Sequence, residues 1–370
     1  MHYYGTYALA RAAGIRADAA HTIATAAQFV DDSTLTETIV HPDGARFRGE
    51  PTAHHPTELL PINNLDDQQN VWVPFHFLPC GAGTSQSQRL VCTKDSAVAR
   101  EMIAHHLDVA GNPACSYALT LMGVTAHVYA DTFAHYGFSG VSSRVNRIDA
   151  TTLEALNGDP LSNPSIDAFF TKFGRQGGLL ANFRAGISSF VGGQLSGVAG
   201  EGALGHGAAA TFPDQPYLEW RYTYELPQIA GRSAVERQNV TDFEEAAAAL
   251  YRMFREFVSR RTIFADDASQ VDFQHIQGTI KELVRVALPS DRRIAAWQRA
   301  MSDGKLTRSG SETIPAYSHR DWRNQTANLK NLERPELASA VPAYQFHQAA
   351  AVHRYYVLRD LLPHHGVYVI

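Results

Sequence analysis

Apolar positions recur along most of the chain at the three-to-four-residue interval of helices, broken by Gly/Pro punctuation. Tyr3 to Ala13 predicts an apolar, alanine-rich helix with Gly14 as its C-cap, and Asp18 is placed to cap a second helix from Ala19 to Val30. The short connection predicts an antiparallel hairpin. His2 at its entry and Asp31-Asp32 at its exit then fall at the same pole. Thr36 to Val40 and Ala45 to Arg48 flank the turn signal His41-Pro-Asp-Gly44 and predict a small β-hairpin. Val71 to Pro79 is aromatic and bounded by prolines, which reads as a buried extended segment with His76 its polar side chain.

Thr93 or Asp95 is expected to cap a helix running to Val109 and stopped at Gly111, and Pro113 to open the next helix. That next helix carries Leu119, Leu121, Val124, Ala126, Val128, Ala130 and Phe133 and is stopped by Gly137 and Gly140. A short helix is expected from Asn163 to Phe173, followed by a glycine-rich stretch over 174–210. Thr241 and Glu244 form a candidate capping box before an amphipathic run to Phe257, with further helices over 269–287, 291–302 and 335–361. The expected organisation is a helical core over 1–173, a glycine-rich loop region over 174–235 and a helical part over 236–370 packed on the core, or one single domain.

Composition narrows the class. Hydrophobic residues make up 45% and charged residues 19% of 370, enough for a substantial core. A net charge of −5 with scattered arginines builds no nucleic-acid-binding face, so no stable nucleic-acid partner is expected. The three cysteines, Cys80, Cys92 and Cys115, lack CxxC spacing and read as reduced thiols. The sequence suggests neither a leader nor a membrane-spanning stretch, and a cytoplasmic location is the default expectation. The compositional oddity is the 17 histidines.

Candidate chemistry concentrates on the helix stopped at Gly137. His127, Asp131 and His135 are spaced i, i+4 and i+8, and at roughly 100° per residue they share one face two turns long. That span suits two ions with Asp131 between them. The alternative is a structural hydrogen-bond network, since buried imidazoles and carboxylates need partners of one kind or the other. His76 is either a satisfied core histidine or a ligand. Gly205-His206-Gly207, followed by Phe212-Pro-Asp214, fits a loop over an active site or an exposed loop histidine. Gly200-Glu-Gly202-Ala-Leu-Gly205 has the GxGxxG letters but no preceding strand, and is rejected as a dinucleotide fingerprint. His347 and His353 do not share a helix face and read as structural.

Leu-x-Gly-x-x-x-His127-x-x-x-Asp131-x-x-x-His135 resembles the signature helix of the bacterial zinc-dependent phospholipase C-like family, related to fungal and plant single-strand nucleases. Those proteins also begin with a histidine at the start of the first helix and carry an aspartate about thirty residues later, where His2 and Asp31-Asp32 stand here. A further family histidine between that aspartate and the signature helix corresponds best to His76. The likeness covers roughly the first 140 residues, with His206 agreeing in order only. Other strings, such as the one from His2 to Gly14, resemble an uncharacterised bacterial family of similar length. Two departures matter: Val-Asp-Asp replaces the family's Gly-Pro-Asp, and no second helical His-x-x-x-Asp/Glu pair is present. Either fewer ions bind or His206 and a neighbour supply ligands.

The resemblance implies a mainly α fold, a multi-helix phospholipase C/nuclease-like bundle with a small β-hairpin and long loops. It implies a metal set of His2, Asp31, Asp32, His76, His127, Asp131, His135 and His206, holding two or three zinc ions, with iron or manganese as alternatives. The implied activity is hydrolysis of a small-molecule, lipid or nucleotide phosphoester. Asp31 or Asp32 would orient the water, His206 would assist, and Tyr129, Tyr136 and Tyr217 are candidate substrate contacts. Hydrolysis of an amide or ester, and a non-catalytic helical protein with a structural metal, are the competing readings.

Overall fold

The structure is a computed structural model of the chain, and it describes residues 1–35, 38–53, 65–157, 204–209, 211–226 and 233–369. The helix expected over Asn163–Phe173 and most of the glycine-rich stretch lie outside the described residues. The architecture is mainly α with a small amount of antiparallel sheet. The principal helices are α1 (Tyr4–Ala12), α2 (Ala17–Phe29), α3 (Ala97–Gly111), α4 (Ala118–Ala134), α5 (Asn239–Arg260), α6 (Phe273–Val284), α7 (Ser290–Ser302), α8 (His319–Asn328) and α9 (Pro342–Tyr356). Among the described residues no helix is long and apolar enough to cross a membrane.

The centre of the molecule is α4, buried on all sides apart from partly covered Leu119. A helix apolar around its whole circumference must be wrapped by others, and α2, α3, α5 and α9 all pack against it. The α2 contact is closest because both partners are small there. A Cβ on Gly123 would come within 2.4 Å of Ala26 Cβ and 2.5 Å of the Ile23 carbonyl oxygen. Core residues from Tyr3 to Val367 join one hydrophobic cluster, so the first and last helices share a core. A smaller aromatic cluster gathers Phe77, Phe138, Phe212, Trp220, Tyr222 and Tyr224.

The predicted β-hairpin forms as β1 (Thr38–Val40) paired with β2 (Arg46–Arg48). An unforeseen three-stranded antiparallel sheet, in order β3-β4-β5, comprises β3 (Ile148–Ala155), β4 (Glu219–Tyr224) and β5 (Ala234–Gln238). Its aromatic face covers the turn after α4. The Tyr224 hydroxyl donates to the Gly137 carbonyl at 2.8 Å, and Gly137 adopts φ +88° to make that turn.

Several local expectations are corrected. Asp18 sits inside the first turn of α2, bonded to Arg16, while Arg16 holds the cap position. Ser96, not Thr93 or Asp95, caps α3 by accepting from the Ala99 N–H at 3.1 Å. Helix α4 starts at Ala118, beyond Pro113. No capping box forms at Thr241, because α5 begins at Asn239, whose side chain is bonded elsewhere. The Val71–Pro79 stretch is helical for most of its length. Gln68–His76 forms a π-helix containing Pro74, closed by Phe77 N–H donating to the Trp72 carbonyl. The wider π turn accommodates a proline that would break the bonding of an α-helix.

Candidate metal centre

The site residues arrive on several distinct elements. His2 precedes α1, Asp31 follows α2, His76 ends the π-helix, His127 and Asp131 ride on α4, and His135 is the C-cap of α4. His206 and Asp214 come from the loop before β4. All of them except His127, which is fully buried behind the others, line a cavity of about 520 Å³ whose remaining wall includes Ala53, Trp72, Phe77, Phe133 and Phe243.

Asp131 is the hub. Its carboxylate lies 3.2 Å from His2 Nε2, 3.2 Å from His127 Nε2, 3.4 Å from His76 Nδ1 and 3.6 Å from His135 Nδ1. Asp31 completes this group, with Oδ1 3.8 Å from His127 Nε2 and 3.9 Å from His76 Nδ1. A second group forms where His135 Nε2 lies 3.1 Å and His206 Nε2 3.7 Å from Asp214 Oδ1.

Backbone carbonyls fix the tautomers. His127 Nδ1–H donates to the Ala27 carbonyl at 2.7 Å, His76 Nε2–H to Thr52 at 2.8 Å, and His135 Nδ1–H to the His76 carbonyl at 2.7 Å. A carbonyl only accepts, so the opposite ring nitrogens of the neutral imidazoles carry lone pairs. His127 Nε2 and His76 Nδ1 therefore face each other at 3.3 Å as two acceptors. His135 Nε2 faces a carboxylate in the same way. Both arrangements require cations between them, either protons or metal ions. Carbonyl-anchored imidazoles of this kind are the usual outer support of metal ligands.

The charge balance agrees. Burial raises the Asp131 carboxyl, but His135, His127 and His2 outweigh it and hold it well below the usual carboxylate range. Burial lowers His135, yet Asp131 and Asp214 overcome it and push the imidazole up to about 9. His127 is raised by the same contest, against Asp131 and Asp31. His2, stacked on the His127 ring at 4.0 Å, is lowered by burial and by that neighbour, and its Nδ1 is buried without a hydrogen-bond partner. The donor sets, His2/Asp31/His127, His76/His127/Asp131 and His135/His206/Asp214, each offer ligand atoms within 4.8 Å of one another. His127 has one nitrogen to give, so the first two sets merge into one five-residue centre beside the second. With nitrogen and oxygen donors and no thiolate, the residues fit zinc, iron or manganese.

The structure therefore brings together His2, Asp31, His76, His127, Asp131, His135 and His206. Asp32 is corrected: its carboxylate accepts from the Tyr317 hydroxyl at 2.6 Å, outside the cluster. Tyr129, Tyr136 and Tyr217 are corrected as well, since none lines the cavity. Tyr129 donates to Asp95, Tyr136 lies under Arg237, and Tyr217 faces Arg293. Asp214 was missed as a ligand, although the Phe212-Pro-Asp turn beside His206 was its signal. Also missed was Asn239, whose amide donates to the carbonyls of Phe212 at 2.7 Å and Gln215 at 2.8 Å and so holds the Asp214 turn.

Fold and site together define a mainly helical protein in which histidines and aspartates from five chain segments converge on one cavity. The chain belongs to a family of unknown function (DUF6765), whose model matches residues 1–361. Comparison with curated proteins and with solved structures gave no match.

Proposed function

We propose that the chain is a metal-dependent hydrolase, acting on a phosphodiester, with a helical bundle of the phospholipase C/nuclease type. The observation that carries the reading is Asp131, one buried carboxylate within 3.6 Å of four imidazoles, two of which, His76 and His127, have their far nitrogens anchored to backbone carbonyls. His2, Asp31, His76, His127 and Asp131 would hold one ion or a pair, and His135, His206 and Asp214 another. Bound divalent ions supply a nucleophilic water near neutral pH and stabilise charge developing on substrate oxygens. The side chains of Asp31 and Asp214 are 40% and 42% exposed, so both groups open onto the cavity rather than being sealed as a structural site would be. Asp31 is placed to accept a proton from water at the cavity mouth, and Gln28 orients it by donating to Oδ2 at 3.1 Å. Trp72, Phe77, Phe133 and Phe243 would exclude bulk water and receive an apolar part of the substrate.

Ester or amide hydrolysis is the second reading. It is favoured by one feature: the described cavity lining holds no lysine or arginine to meet a phosphodiester's charged oxygens outside the centre. Elemental analysis of the purified chain, followed by turnover of bis-p-nitrophenyl phosphate beside nitrophenyl-ester and anilide panels, separates the readings. The expected result is two or more ions per chain and diester cleavage that a chelator abolishes and zinc restores. Absence of stoichiometric metal, or turnover indifferent to chelation, sinks the proposal.

A further inference from the structure

The end of the chain's last helical run carries a separate cluster, none of whose residues lines the cavity. Beyond α9 the helix continues through Val357–Leu361 and Leu362–His364. There His364 Nδ1 lies 3.0 Å from Oε1 of Glu101 on α3, and His365 Nε2 lies 2.8 Å from Oε2. The three side chains each offer a ligand atom within 4.8 Å of the others.

The backbone around them is tied down. The Arg89 guanidinium donates to the carbonyls of His365 and Gly366 at 3.2 and 3.3 Å, and the Gln86 amide donates to Gly366 at 3.0 Å. Gly366 turns away with φ +66°, and a side chain at Gly81 would press on His365 Cβ at 3.1 Å. The two imidazoles stand at the C-terminal end of a helix, where the carbonyls favour a cation. His364 is 70% exposed and His365 23%, so water can complete a coordination shell.

We propose that Glu101, His364 and His365 form a second divalent-metal site, independent of the cavity, that clips the C-terminal turn onto α3. Two imidazoles and one carboxylate suit zinc, with nickel and copper competing. In the metal-free state the two ring N–H groups donate to Glu101. On binding, the coordinating nitrogens give up those protons, so a zinc ion takes the place of the hydrogen bonds.

The test uses the full chain and zinc alone as the probe, with D131N removing the hub of the five-residue cavity centre. Equilibrium dialysis against zinc should leave D131N with about one more ion per chain than D131N carrying H364A/H365A or E101Q. Zinc should raise the Tm of D131N by several degrees more than that of the combined variants. Equal zinc counts and equal Tm shifts in all three overturn the site. So does a lower starting Tm in the combined variants without any zinc-dependent difference, which would make the cluster a plain ion-pair clip. If H364A/H365A fails to fold by circular dichroism, E101Q, which keeps both imidazoles and the side-chain volume, decides the matter.

Discussion

Asp131 gathers four imidazoles because it sits one turn from two of them on α4 and faces the two chain segments that bring the others. Replacing it with asparagine keeps the shape and removes the charge. D131N is expected to lose its metal and to drop in activity by more than the ~10–100-fold typical of outer-support changes, with folding retained. Metal analysis and initial rates check this; full metal content with full activity would remove the site from consideration. Asp31 and Asp32 give a sharper contrast. D31N should lower metal occupancy, whereas D32N should keep it and lose only the bond from Tyr317. The sequence could not choose between them, because neighbours at a helix end point about 100° apart and the exit angle decides which faces inward. Tyr129 fails as a substrate contact by the same geometry: two residues after His127, it emerges about 200° around α4 and reaches Asp95.

At the scale of elements, the site depends on how closely α2 and α4 approach. The His127 bond to the Ala27 carbonyl exists because Gly123 and Ala26 let the helices meet at backbone distance. G123A should therefore cost about 3 kcal/mol through overpacking and also weaken metal binding, because it pushes Asp31 and Ala27 away from α4. Urea unfolding and metal titration of the same sample test both effects, and an unchanged midpoint would remove the packing argument. Two histidines on α9 give a pH signature. His347 accepts from the Glu50 N–H, His353 donates to the Pro74 carbonyl, and burial lowers both to about 4. A depressed folded pKa means stability is fully present above the unfolded value near 6.5 and is lost as pH falls toward 4. Each residue should contribute about 3 kcal/mol of that loss. Stability measured between pH 7 and 4 should fall accordingly, and H347Q should flatten part of the slope.

Over the whole molecule, the ligands come from both the first helix and the loop before β4, and the helices that hold them share a core reaching Val367. Metal bound only by the folded chain stabilises all of it. A chelator is expected to lower the Tm by about 5 °C or more in a single cooperative transition, and added zinc to restore it. A chelator-insensitive melt would mean that protons, not metal, bridge the facing nitrogens.

By itself the sequence determined the helical character of most segments and the shared face of His127, Asp131 and His135, since both follow from a local 3.6-residue period. It also brought His2 and the exit of α2 to one pole, because a short connection leaves two helices few ways to pack. The tertiary structure alone decided that Asp31 rather than Asp32 turns inward, that Asp214 joins His135 and His206, and that the His76 segment coils as a π-helix around Pro74. Those outcomes depend on contacts between residues far apart in the chain, on Asn239 gripping the Asp214 turn and on His353 holding the Pro74 carbonyl. No local periodicity records such contacts, and packing energy settles them only when the whole chain is assembled.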